Sequence, residues 1–299
     1  GDGSWATYDM GQTCPGGTIN GPLLLYLQGA GLNAPATDAA GYSSITNEDL
    51  ALFVQDKWQV TRTFTLSYGL RWEAQTFPDP VTPPNQTPYG IYLNDGTFPS
   101  NGKIPSQWKE FQPRLGLSWD ISGKGKSVLR ASAGIYNGRQ NMLTQTSAIT
   151  TNGVQQQTLA SGSFAWGCLA FGCYAPPTYP NVISSGIHPG TGAGVHVFDR
   201  NYKNPRIYSY NAQFEQEVVR NTSVYVDFTW SKGEYLTVFD NWDRGDRTLY
   251  NPAPNSPLGD LFVHNSRAHS DYKGGTFGVR KRMSDHFQME ANYVYSRDY

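Results

Sequence analysis

Four times in this chain, two segments of about ten residues that alternate apolar and polar side chains flank a short turn. A period of two puts successive side chains on opposite faces, so each segment reads as a β-strand with one apolar and one polar side. In the cleanest of them Phe64, Leu66, Tyr68, Leu70 and Trp72 oppose Thr65, Ser67, Gly69, Arg71 and Glu73. The pairs occupy 49–75, 111–136, 205–231 and 275–297, and the turns between their members are short enough for hairpins. Between the pairs lie spans 76–110, 138–204 and 236–271, rich in Gly, Pro, Asn, Ser and Tyr, while 1–47 forms a loop-rich lead-in.

Loops that long are uncommon inside a compact soluble domain. Short turns at one end of the strands and long loops at the other are instead the pattern of a β-barrel crossing an outer membrane. The fold expected is therefore all-β: an antiparallel transmembrane β-barrel segment, incomplete at about eight clear strands, with long extracellular loops. In hydrocarbon every backbone polar group must pair, so apolar side chains turn outward and polar ones face a wet lumen. Trp58, Trp72, Trp119, Trp230, Tyr293 and Tyr295 lie near strand ends, where amphipathic rings prefer the headgroup region. A secreted β-sandwich is the alternative, but sandwiches place turn signals every 8 to 12 residues or so, and the long gaps break that rhythm.

Charge excludes one class of partner. With 23 basic and 24 acidic side chains the formal net charge is −1, so no nucleic-acid footprint is present. Only 16% of residues are charged against 14% aromatic, a surface in which rings take the place of charges. The longest apolar run, 23–27, is far short of a spanning helix. Cys168 and Cys173 sit close together without the Cys/His spacing of a zinc site, which leaves a local disulfide or free thiols.

No catalytic constellation is legible, and neither an enzyme activity nor a cofactor is expected. His188, His196, His264, His269 and His286 are scattered, mostly in the long spans, and read as solvated loop residues. The acidic stretch 240–246 reads as a solvated turn. The informative set is the polar side of the strands: Arg71, Glu73, Arg114, Asp120, Arg130, Glu215, Glu217, Asp227, Arg280 and Glu290. Adjacent hairpins would set Glu73 near Arg114 and Arg280 near Glu290.

Particular strings go further than pattern. Leu52-Phe-Val-Gln-Asp-Lys-Trp-Gln-Val-Thr61 followed by Phe64-Thr-Leu-Ser-Tyr-Gly-Leu-Arg-Trp-Glu73 resembles a barrel hairpin of TonB-dependent outer-membrane receptors. Phe111-Gln-Pro-Arg-Leu-Gly-Leu-Ser-Trp-Asp120, with Lys126-Ser-Val-Leu-Arg130 and Gly134-Ile-Tyr136, is similar to another hairpin of the same proteins. Asn204-Pro205, Tyr210-Asn211, Arg280-Lys-Arg282 and Ala291-Asn-Tyr-Val-Tyr-Ser296 resemble later hairpins of their Oar-like branch.

The resemblance implies the outer membrane of a Gram-negative bacterium, contact with its lipid, and energised uptake of a solute through a barrel of about 22 strands. Such receptors are occluded by a plug and driven by the TonB complex through a short N-terminal box. Neither plug nor box is legible here, so the expectation is a central piece of a receptor barrel. In an intact receptor the polar-face residues would hold the plug or line the solute's route. Ligand contacts would come from loop rings, here Trp108, Trp166, Tyr174, Tyr179, Trp242 and Tyr250, stacking on an unidentified solute. A passive porin, a structural outer-membrane protein or a secreted sugar-binding sandwich are the competing readings.

Overall fold

The computed structural model describes residues 44–154, 195–242, 261–284 and 286–299 in full, and elsewhere only the backbone course of short strands. In chain order the strands are β1 (Thr13–Cys14), β2 (Gly17–Thr18), β3 (Leu25–Ala30), β4 (Glu48–Gln59), β5 (Phe64–Thr76), β6 (Gln107–Asp120) and β7 (Ser127–Asn137). Helix α1 (Met142–Thr150) follows, then β8 (Gln157–Gly162), β9 (Ala193–Phe198), β10 (Arg206–Val219), β11 (Thr222–Asn241), β12 (Leu258–Ser284) and β13 (Phe287–Asp298). Two short 3-10 turns, Pro84–Gln86 and Pro88–Tyr92, lie between β5 and β6.

Eight antiparallel strands form one sheet in the order β13-β12-β11-β10-β7-β6-β5-β4, with β9 attached to β12. The sheet does not close: β4 and β13 are its free edges, and every residue of both is exposed. One registered row runs Trp58, Leu66, Leu117, Ala131, Ala212, Phe228, Gly275, Tyr295. The next row runs Lys57, Ser67, Gly116, Ser132, Asn211, Thr229, Gly274, Ser296. A single step along the strands thus converts an apolar row into a polar one, and a one-residue slip anywhere would turn a strand inside out. The apolar row leaves β4 at Trp58, next to its turn-end residue Gln59, yet crosses β13 at Tyr295, eight residues from its turn-end residue Phe287. This progressive stagger is the shear of tilted strands in a barrel wall.

The turns at one end are short and locally specified. Thr61 Oγ1 accepts from the Phe64 amide at 3.0 Å. Between β6 and β7, Asp120 accepts from Ser122 Oγ at 2.8 Å and from the Gly125 amide at 2.7 Å. Gly123 and Gly125 hold positive φ values of 64° and 71°, where a side chain would be strained.

The long-loop end is where the structure departs from the sequence expectation. The span 236–271 is not a loop throughout: β11 continues to Asn241 and β12 begins at Leu258. Residues 236–241 pair with 262–268 through two register shifts, and β9 adds in parallel along Leu258–His264. At about 3.3 Å per residue, the portion of β12 paired with β13 (272–284) already suffices to cross the roughly 25 Å apolar band. Residues 258–268 therefore stand outside the membrane. Helix α1 begins where Asn141 Oδ1 accepts from the Thr144 amide at 2.9 Å, an N-cap that satisfies an otherwise orphaned donor.

These outer segments carry a core of their own. Tyr89, Phe98, Val195, Val197, Leu261 and Val263 form one buried cluster, and Ile104, Ile149, Phe198 and Tyr202 a second. His196 and His264, read from sequence as solvated, lie here with Nδ1 and Nε2 only 3.0 Å apart, and His264 is fully buried. The cause is strand addition: pairing of β9 with β12 buries the His264 ring and leaves His196 half-buried.

Candidate functional site

The two faces of the sheet differ in crowding as well as polarity. Gln112 is 2% exposed beside Phe111 at 51%, and Tyr225 is 8% exposed beside Val226 at 53%. Side chains crowd on the concave side of a curved sheet and splay on the convex side, so the polar face is the inner one.

Three charge clusters occupy that face. In the first, Arg71 Nε donates to Glu73 Oε1 at 2.8 Å and Gln112 donates to the other carboxylate oxygen. Arg114 donates to Gln112 Oε1 at 3.3 Å, with its guanidinium 4.6 Å from the Tyr136 ring centre. Glu73 and Arg114 are thus linked through an amide instead of meeting directly, because Arg71, two residues along the same strand face, reaches the carboxylate first. In the second, Arg130 Nη1 lies 3.0 Å from Glu215 and 3.1 Å from Gln213, and Ser223 Oγ donates to Glu215 at 2.9 Å. In the third, Arg280 pairs with Glu290 at 2.7 Å beneath the Tyr225 hydroxyl.

The remaining polar-face carboxylates serve the wall. Asp227 accepts from Asn211 Nδ2 at 2.9 Å. Asp120 is held by its own turn, and Glu217 accepts from the Asn221 amide at 3.1 Å. These last two cap turns, since residues at strand ends meet unsatisfied amides before they meet another side chain.

Above the clusters, where the strands give way to loops, a network of buried amides crosses the inner face. Gln75 Oε1 accepts from the Gln140 amide at 3.1 Å and from Asn204 Nδ2 at 3.0 Å. Gln145 Nε2 donates to the Gln140 carbonyl at 2.9 Å, and Asn47 donates to Gln145 at 2.7 Å. The Tyr202 hydroxyl bonds Gln140 and lies 2.8 Å from Thr237. Burial pushes that phenol up to about 12, so it remains a donor. Buried amides are costly when unpaired, and a connected set therefore fixes one arrangement of the loop bases.

Sequence reasoning missed this network. Its only trace was the Asn and Gln residues adjoining strand ends, in 138–141 and at Gln75 and Asn204.

Of the loop rings, Trp108 is 53% exposed. Trp242 is half-buried against the first loop cluster. Trp166, Tyr174, Tyr179, Tyr250, Cys168 and Cys173 lie outside the described residues. Among the described residues no three His, Cys, Asp or Glu side chains are grouped to hold a metal ion.

An open, staggered, antiparallel sheet with an apolar outer face and a charged inner one is a piece of an outer-membrane barrel wall. The chain belongs to the family described as "Outer membrane beta barrel domain", whose model matches residues 4–299. It accordingly resides in the outer membrane of a Gram-negative bacterium.

Among solved structures it is similar to the outer membrane transporter YddB of Escherichia coli: TM-score 0.52 at 12% identity, over 84% of this chain and 25% of that one. The FrpB iron transporter of Neisseria meningitidis matches at 0.49 and 11%, over 87% and 28%. The siderophore receptor PirA of Pseudomonas aeruginosa matches at 0.45 and 11%, over 84% and 34%. The chain spans about a quarter to a third of these structures' lengths. No curated protein matches.

Proposed function

We propose that this chain is part of the barrel of a TonB-dependent receptor, of the Oar-like branch, that takes up a solute across the outer membrane at the expense of energy. The observation that carries the reading is the inner face. Its three charge clusters and two free sheet edges suit a barrel much wider than eight strands, because an eight-stranded barrel fills its interior with side chains and has no room for hydrated ion pairs. The likeness to YddB, of which this chain matches 25%, supports a wall of that larger size. A wide barrel without an occluding domain would leak, and a plug closing it must be displaced by work delivered from the inner membrane.

On this reading Arg71, Glu73, Arg114, Arg130, Glu215, Asp227, Arg280 and Glu290 face the plug or the solute's route. Asp120 and Glu217 fix turns on the periplasmic side. The test is solute uptake by cells expressing the protein at its natural length, before and after the proton-motive force is collapsed. Uptake should stop on collapse. Uptake that continues at an unchanged rate would replace the receptor with a passive porin.

A further inference from the structure

A groove of about 550 Å³ lies at the outer end of the wall, where its floor residue Glu110 pairs across strands with Glu73 of the first inner-face cluster. Its lining comes from the top of β6 (Trp108, Lys109, Glu110), the segment before β10 (Lys203, Asn204, Arg206) and Tyr235 of β11. Two features mark it as a built site. Asn204 is only 3% exposed, yet its Oδ1 has no hydrogen-bond partner among the described residues. Tyr235 is one of few non-glycine residues at positive φ, 59°, at a register shift in β11. Bulges and left-handed backbone of this kind re-aim a side chain, and such conformations collect at functional sites.

The chemistry of the lining is graded from deep to rim. Glu110 (6% exposed) and Asn204 lie deepest and hydrogen-bond each other, and the unpartnered Asn204 Oδ1 asks for an O–H or N–H donor. Trp108 is half exposed and offers an indole face. At the rim stand Lys109 and Lys203, both exposed, and Arg206. Lys203 and Arg206 have their cationic groups 4.7 and 6.0 Å from the Tyr235 ring centre.

A purely anionic ligand would set acceptors against Asn204 Oδ1. A purely aromatic one would leave Asn204 Oδ1 buried without a partner. A hydroxylated ring bearing an acid answers every part: a hydroxyl to Asn204 Oδ1, ring C–H face to Trp108, carboxylate or phosphate to the rim cations.

We infer that this groove, defined by buried Asn204 and Glu110, the exposed Trp108 face and the Lys109–Lys203–Arg206 rim, is a binding site for an acidic saccharide. The saccharide is either a free oligosaccharide solute or the sugar headgroup of an outer-leaflet glycolipid. This names a ligand for the receptor proposed above, but binding in detergent needs neither plug nor energy. A negative result here leaves the uptake reading standing, and passive uptake would leave this site standing.

The test is calorimetric titration of the full-length protein in detergent with trigalacturonic acid, maltotriose and delipidated or intact lipopolysaccharide. Saturable binding of trigalacturonic acid, at least tenfold tighter than maltotriose and weakened tenfold or more by Trp108→Ala, is expected for a free solute. Binding of intact lipopolysaccharide with the same Trp108 dependence, and none of the trisaccharide, would assign the headgroup source. The exposed pair Lys109→Ala/Lys203→Ala should erase the preference for the acid while heat-modifiable gel mobility stays native. Absence of binding to all four probes, or binding that Trp108→Ala and the lysine pair leave unchanged, overturns the proposal.

Discussion

The strand wall and the loop assembly above it are packed on opposite principles. In the wall, exposed residues are the large apolar ones: Leu70, Leu115, Phe214, Val226, Phe228 and Phe277 all show two-fifths or more of their surface, and buried residues there are mostly polar. In the loop assembly Phe98, Val195, Leu261 and Val263 are completely buried. The wall is therefore built for a medium that supplies apolar contact from outside, and the loop assembly for water. Hydrophobic burial stabilises the assembly within the chain itself, whereas in the wall the chain contributes hydrogen-bonded ladders and lets lipid cover the rings.

The contrast breaks most sharply by substitution in the loop core. Phe98→Ala should cost about 3–5 kcal/mol by leaving a cavity among Tyr89, Tyr92 and the β9 and β12 side chains. Hydrogen exchange in the full-length protein should show lost protection in β9 and the outer part of β12, with the lower strands unaffected. Uniform loss across both regions would mean that they are one packing unit.

Next in size is a charge on the outer face. Leu70→Arg should cost about 2–4 kcal/mol if the position lies near the bilayer midplane, and lower the amount of heat-modifiable protein in the outer membrane. Gln288→Arg, at the end of β13, should be tolerated. Equal tolerance at both positions would remove the distinction between the wall and an ordinary soluble sheet.

Acid distinguishes the regions without mutation. Burial, reinforced by neighbouring His196, pushes His264 down to about 3. The folded loop assembly thus holds it neutral, while the unfolded chain protonates near 6.5. The stability that this group contributes is complete above about pH 6.5 and declines as pH falls toward 3. Protection of β9 should weaken over that window, and His264→Gln should flatten the dependence.

The smallest effect is expected at Arg280 and Glu290, an exposed pair of the inner face. Arg280→Gln should leave assembly unchanged in gel mobility, since ion pairs open to water contribute little. Failure to assemble would show that the inner face is drier than its exposure implies.

The wall was legible because alternation is a local signal. Leu66 and Ser67 declare their faces without knowledge of any partner, and the glycines at 123 and 125 declare their turn. Less was legible where residues act on distant ones. Arg71 takes Glu73 before Arg114 can, which depends on side-chain reach along one strand. That Trp242 is half-buried against the loop core is likewise set by segments distant in the chain.

By itself the sequence determined the strand pairs, their facing, the short-turn end and a lipid environment, because each rests on period, composition or turn chemistry within a few residues. Only the tertiary structure decided what the long spans do. The parallel addition of β9 to β12 joins residues some 65 positions apart, and the meeting of Gln75 with Gln140 and Asn204 joins three separate segments. Such contacts form where loop closure is offset by burial and by the cost of leaving buried amides unpaired. Neither term is written in any window of the chain short enough to read along it.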